Sequence, residues 1–194
     1  MGMIVENLLD LIENSGEYEI EEELSAFSCM YNEEVENFLK YKAISFAKQK
    51  LSITYLISDE TDGALVAYFT LAVKAVEIKK NSVSKTLNRR ISKYSLYNDK
   101  NEMYTAVSFL LAQIGKNFAI DNGSRITGEI MMQYAERTIQ KIQRMIGVGL
   151  VYLEVEKDNK TAIDLYTNRN HYIKFDERKS ISDGKEYNVM IKGI

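Results

Sequence analysis

Proline is missing altogether from this chain of 194 residues. No X-Pro bond can slow its folding, and no ring can kink a helix from within. Cysteine occurs once, at Cys29, so an intramolecular disulfide is excluded. The single histidine, His171, lies far from Cys29 in sequence, and the pair is a poor ligand set for a metal. No run approaches the roughly 20 apolar residues that a bilayer span needs. Nothing near the N-terminus reads as a basic segment followed by a signal-peptide core. These absences predict a cytoplasmic protein with no metal and no membrane partner. Strong net charge is missing too: the balance is −3, with an isoelectric point of about 5.4. That speaks against a general affinity for nucleic acid, whose binders usually carry a basic stripe. Charge segregated on one face can still build a local patch.

What is present is ordinary for a globular chain: 45% apolar and 27% charged residues. At this length the expectation is one domain, residues 1–194, with a substantial core. Val5–Ile12 predicts a short amphipathic helix, and Glu17–Phe27 a first strand. Asn32 offers a helix N-cap, with Val35, Phe38, Leu39, Lys42, Ala43 and Phe46 along one face of the helix that follows. Ser52–Ser58 and Ala64–Val73 read as antiparallel strands around an Asp62-Gly63 turn. The polar stretch 79–100 holds the basic group Lys85, Arg89, Arg90 and Lys93 and predicts a helical insertion. Met103–Lys116 is nearly continuous apolar sequence, as in a central strand covered on both faces. Met131, Ala135, Ile139, Ile142 and Ile146 then recur at helical spacing. Leu150–Val155 reads as the next strand and Thr161–Arg169 as a helix. His171–Arg178 and Tyr187–Ile191 form a closing hairpin with Ser182-Asp183-Gly184 in its turn. The alternation of elements predicts an α/β (α+β) domain, a mixed sheet with helices on both faces.

Two units carry the chemistry. The first, LAQIGKNFAI-DNGSRITG-EIMMQYA from Leu111 to Ala135, is a strand, a polar turn and a helix start. A helix start aims unpaired N–H groups at one place and favours a bound phosphate. The second, Val151 to Phe175, is a strand and a helix with Asn159, Ala162 and Tyr166 spaced as N-x-x-A-x-x-x-Y. This pattern resembles the GNAT acyltransferases, which move an acetyl group from acetyl-CoA to an amine. FSCMYNEEVENFLKYKAISFAKQK, SITYLISD and ALVAYFTLA are similar to a branch of that family with Phe-x-Cys before the first long helix. The resemblance runs from about Ala26 to Phe175, with a gap at the insertion. It implies a mixed, mostly antiparallel sheet.

The resemblance also implies roles for individual residues. Ile114, Gly115 and Lys116 meet the pantetheine arm through the main chain, and a backbone N–H near Ile114 serves the thioester oxygen. Ser124, Arg125, Ile126, Thr127 and Gly128 form the pyrophosphate loop. The loop departs from the family's Q/R-x-x-G-x-G/A pattern: Gly123 stands at the leading Gln or Arg and Ile126 at the middle glycine. Asn159 opens the second motif and belongs to the cofactor site. Tyr166 protonates the departing CoA thiolate. The motif's terminal Gly-Phe becomes Asn170-His171, with Asn170 in the left-handed position that ends a helix and His171 in a packing role. From the strand itself, Glu154 and Glu156 share one face, and Glu154 is the candidate general base. Cys29 matches a packing position.

The function implied is acetyl-CoA-dependent N-acetyltransfer to a primary amine by direct attack in a ternary complex. Two alternatives stand beside it: a CoA-binding GNAT-fold module without strong catalysis, and a toxin-like enzyme acting on aminoacyl-tRNA. The acidic isoelectric point speaks against the second. The acceptor and the oligomeric state, a homodimer included, are left open.

Overall fold

The computed structural model describes residues 2–80, 82–181 and 184–194. Among these residues the chain forms a mostly antiparallel mixed sheet of eight strands together with seven α-helices. In chain order these are β1 (Met3–Asn7), α1 (Leu8–Ser15), α2 (Glu17–Ser25), α3 (Glu33–Tyr41), α4 (Ala43–Lys48), β2 (Ile53–Asp59) and β3 (Leu65–Lys79). Then come α5 (Lys85–Ile91), β4 (Ser95–Asn98), β5 (Met103–Lys116), α6 (Gly128–Ile146), β6 (Leu150–Glu156), α7 (Lys160–Asp164), β7 (Ile173–Lys179) and β8 (Glu186–Gly193). The strand order is β1-β2-β3-β5-β6-β8-β7, with β4 added against β5. β5 and β6 pair in parallel at Phe109↔Val151 and Leu110↔Tyr152, and both strands continue beyond those residues.

The fold divides into two compact units, one of residues 1–72 and 112–135 and one of residues 73–111 and 136–194. In the first, Leu8, Ile20, Leu24, Phe27, Phe38 and Leu39 from the helical segment cover Leu56, Leu65 and Tyr68 of the β2–β3 hairpin. In the second, Leu87 and Ile91 of α5 pack with Ile78, Tyr104, Tyr152, Phe175 and Ile191 of its strands.

The sequence is read correctly in the β2–β3 hairpin, β5, α6, β6 and β8, and wrongly in the N-terminal quarter. Glu17–Ser25 is helix, not strand. Ile20, Leu24 and Phe27 fall at i, i+4 and i+7 and are all buried, and glutamate favours helix between them. Met3–Asn7, whose second half the periodicity places in a helix, is an edge strand on β2. Its β-branched Ile4 and Val5 suit that register, and Asn7 then caps α1 by accepting from the Leu9 N–H at 2.9 Å. Asn32 caps α3 as expected, accepting from Val35 at 3.2 Å. The single helix predicted after it is two, interrupted at Lys42 where φ is −125°. β5 is not covered on both faces throughout, since Thr105 and Val107 are exposed. The turn expected between the last two strands lies partly outside the described residues, at Ser182 and Asp183.

Candidate active-site residues

In the first unit, the end of β5 is fixed by a glycine and an asparagine. A Cβ at Gly115 would sit 2.4 Å from Val35 Cγ1 and 2.8 Å from Tyr68 Cε1. Only glycine lets the strand pass this close to α3 and β3. The Tyr68 hydroxyl donates to the Val35 carbonyl at 2.5 Å, which holds that wall in place. Buried Asn117 follows. Its Oδ1 accepts from Ser28 N–H and Ala119 N–H, each at 3.0 Å, and its Nδ2 donates to Leu65 O at 2.7 Å. The strand end is thereby tied to the loop before α3 and to the start of β3.

The segment from Asn117 to Thr127 turns through three successive left-handed residues, Asp121, Asn122 and Gly123 (φ 44°, 51° and 70°). The first two are non-glycine, so the turn stores local strain. Arg125 holds it: its guanidinium reaches Asp121 at 2.5 Å, Asp62 at 2.6 Å and Asp59 at 3.5 Å. Hydrogen bonds to Asp121 and then Asp62 push the guanidinium pKa further up. The same contact holds the Asp62 carboxyl below its ordinary value. Arg125, expected in the pyrophosphate loop, is thus committed to three carboxylates. Ile126 is buried and faces the core. Ser124 does not cap the next helix. Thr127 does, its Oγ1 accepting from Ile130 N–H at 3.3 Å. α6 opens at Gly128, where helix geometry leaves the first N–H groups without intrahelical partners.

In the second unit, Asn159 is the N-cap of α7, its Oδ1 accepting from Ala162 N–H at 3.0 Å. That bond accounts for the Asn and Ala of the motif by helix initiation alone. Tyr166 sits in a π-helical turn, Leu165–Arg169, and is 7% exposed. Burial pushes its phenol up to about 12, so the proton stays on at any physiological pH. The π turn takes up one extra residue. It shifts the end of the motif, correcting the sequence-based alignment: Asn170 is not left-handed (φ −116°), whereas His171 is (φ 59°). His171 is exposed rather than packed, and Tyr172 is the buried ring. The family's Gly-Phe therefore corresponds to His171-Tyr172. Tyr172 N–H closes the turn onto Tyr166 O at 2.9 Å, and the two rings meet edge to face at 6.1 Å.

Glu154 is half-buried, and burial raises its carboxyl above the usual value, with Arg178 at 2.9 Å pulling the other way. Glu156 pairs instead with Lys185 at 2.5 Å. Sequence reasoning missed Asn117, the Asp59–Asp62 anchor of Arg125, and Tyr172. The Asp59-x-x-Asp62-Gly turn is the one local signal that could have pointed to the anchor. Among the described residues no cluster of potential metal ligands occurs, and no helix is long and apolar enough to cross a membrane.

No protein-family model matches the chain, and no curated protein matches it in sequence. Solved structures do. AtaT complexed with acetyl-methionyl-tRNAfMet superposes with a TM-score of 0.65 at 16% identity, over 99% of this chain and 95% of that one. A tyrosine-to-phenylalanine mutant of KacT gives 0.65 at 16% identity, over 100% and 95%. The NatC complex bound to Gag peptide and CoA gives 0.55 at 14% identity, over 100% and 99%. The chain has the GNAT fold. The residues resembling the family's motif lie at the end of β5, in the turn into α6, on β6, at the cap of α7 and in the π turn after it.

Proposed function

We propose that the protein is an acetyl-CoA-dependent N-acetyltransferase whose acceptor is a primary amine. Tyr166 carries the reading: a buried phenol, held protonated, at the position the GNAT motif reserves for the acid. The likeness in fold to AtaTR bound with acetyl-CoA supports it (TM-score 0.58, 14% identity, over 98% of this chain and 92% of that one).

The residues divide the work as follows. The main chain at Ile114, Gly115 and Lys116 takes the pantetheine arm. The opening of α6 at Gly128 takes the pyrophosphate on its N–H groups. Ser124, Arg125, Ile126 and Thr127 shape that turn and leave contact with the ligand to the backbone. Asn159 sets the start of α7 and so positions Tyr166. The amine nitrogen attacks the thioester carbonyl, and its proton passes to Glu154 directly or through a water. The tetrahedral intermediate expels the CoA thiolate, and Tyr166 donates a proton to the sulfur. The products are the acetamide and CoA thiol.

Calorimetric titration with acetyl-CoA tests the binding half of the proposal. Wild type should bind, and Gly128→Glu should lose binding while staying folded, because a carboxylate would occupy the phosphate position. Absence of heat and of thermal stabilisation for wild type at millimolar acetyl-CoA would overturn the reading, since a ligand of the native state must stabilise it.

A further inference from the structure

The segment from the second half of β3 to the start of β5 is absorbed by neither the fold's core chemistry nor the transfer reaction. From Val73 to Glu102 it contains eight lysines and arginines against three carboxylates, a net of +5. The whole chain is −3, so the remaining residues carry −8. The acidic isoelectric point therefore conceals a basic lobe.

This lobe is built, not frayed. Ser84 caps α5 by accepting from Leu87 N–H at 3.3 Å, and Leu87 and Ile91 are buried. β4 runs antiparallel to β5 from Ser95↔Ala106 to Asn98↔Met103. Asn88 Nδ2 donates to the Lys80 carbonyl, joining helix to strand. The anchored face of α5 thus leaves Lys85, Arg89, Arg90 and Lys93 exposed.

Among the described residues none of the eight cations of the lobe stands in an ion pair. In the same unit Lys157, Arg169, Lys174, Arg178, Lys185 and Lys192 each hold a carboxylate. Aromatic and apolar side chains stand among the free cations: Tyr94 is 46% exposed, Tyr97 36% and Leu96 81%. Lys80 Nζ lies 5.1 Å from the centre of the Tyr97 ring. Unpaired cations interleaved with exposed aromatic rings suit a ligand that offers phosphates and bases together. Tyr97 also leans on Tyr104, with ring centroids 4.8 Å apart, so a base would extend an aromatic cluster already formed, which an acidic peptide would leave unused.

We infer that the α5–β4 lobe is a docking surface for RNA with accessible bases, held by phosphate contacts from Lys85, Arg89, Arg90 and Lys93 and by stacking on Tyr94 and Tyr97. The inference goes beyond acetyl transfer and does not depend on it.

The test is fluorescence anisotropy of a labelled, mixed-sequence, single-stranded RNA titrated with the full chain over a range of salt. Wild type should bind at low salt, with affinity falling steeply as salt rises. Lys85→Ala/Arg89→Ala/Arg90→Ala/Lys93→Ala should weaken binding roughly tenfold or more and flatten the salt slope, by about 0.7 for each phosphate no longer neutralised. Tyr94→Ala/Tyr97→Ala should weaken binding without changing that slope. Lys141→Ala/Arg144→Ala, which removes charge elsewhere on the surface, should leave binding unchanged. No binding at low salt, an unchanged slope in the fourfold variant, or equal weakening in the Lys141/Arg144 control would overturn the inference. So would polyglutamate that binds the lobe more tightly than RNA. Acetyl-CoA titration of the same variants keeps the two readings apart, since none of these residues belongs to the proposed cofactor site.

Discussion

At the residue scale, two groups are tuned in ways that fit complementary roles in one reaction. Tyr166 is raised to about 12 by burial, so it keeps a proton to give at neutral pH. Glu154 is raised above the ordinary carboxylate value by burial and pulled back by Arg178, and in its carboxylate form it can take one. A base acts when deprotonated. The acid limb of kcat/KM should therefore rise through a pKa above the ordinary carboxylate value, and Glu154→Gln should lower the plateau and remove that limb. An unchanged profile in Glu154→Gln would remove Glu154 from the mechanism. The stability consequence has the opposite sense. A carboxyl with a raised folded pKa binds its proton more tightly when folded, so its contribution is present at low pH. That contribution is lost as pH rises from the unfolded value through the folded one.

At the element scale, the end of β5 shows what periodicity conveys and what it omits. The strand, its turn and α6 are legible because apolar runs and helical spacing report burial directly. The reason for Gly115 is not, because it depends on Val35 and Tyr68, which are remote in sequence. Asn117 is similar: three hydrogen bonds to Ser28, Ala119 and Leu65 follow from a fold that no local pattern contains. Replacing it removes the donor from the buried Leu65 carbonyl, at about 1–3 kcal/mol, and frees the partly exposed Ser28 and Ala119 N–H groups. Asn117→Ala should lower the thermal midpoint by several degrees, and a midpoint within about 1 °C of the parent would show that water replaces those bonds. In α2, glutamate-rich spacing imitates weak alternation although Ile20, Leu24 and Phe27 follow a helical period. In α7 the difficulty is one of counting. Tyr166 is legible because its motif ends as the π turn begins, and His171 is misplaced because it follows that turn.

At the scale of the whole molecule, the fold agrees with the resemblance carried by Asn159, Ala162 and Tyr166. The likeness to AtaT, KacT and NatC, at sequence identities of 14–16%, is one of fold. The charge distribution belongs to this scale as well. A net of −3 says little about partners when +5 of charge is gathered on one lobe. The central claim is acetyl transfer with Tyr166 as acid. Its most direct test is thiol release from acetyl-CoA with a panel of primary amines, for wild type and Tyr166→Phe, beside an acetyl-CoA titration of both. Turnover by wild type should fall roughly 10²-fold or more in Tyr166→Phe, with acetyl-CoA affinity nearly unchanged, because the hydroxyl acts mainly in the transition state. A wild-type protein that binds acetyl-CoA yet releases no thiol with any amine, or a Tyr166→Phe variant that turns over at the wild-type rate, would contradict it.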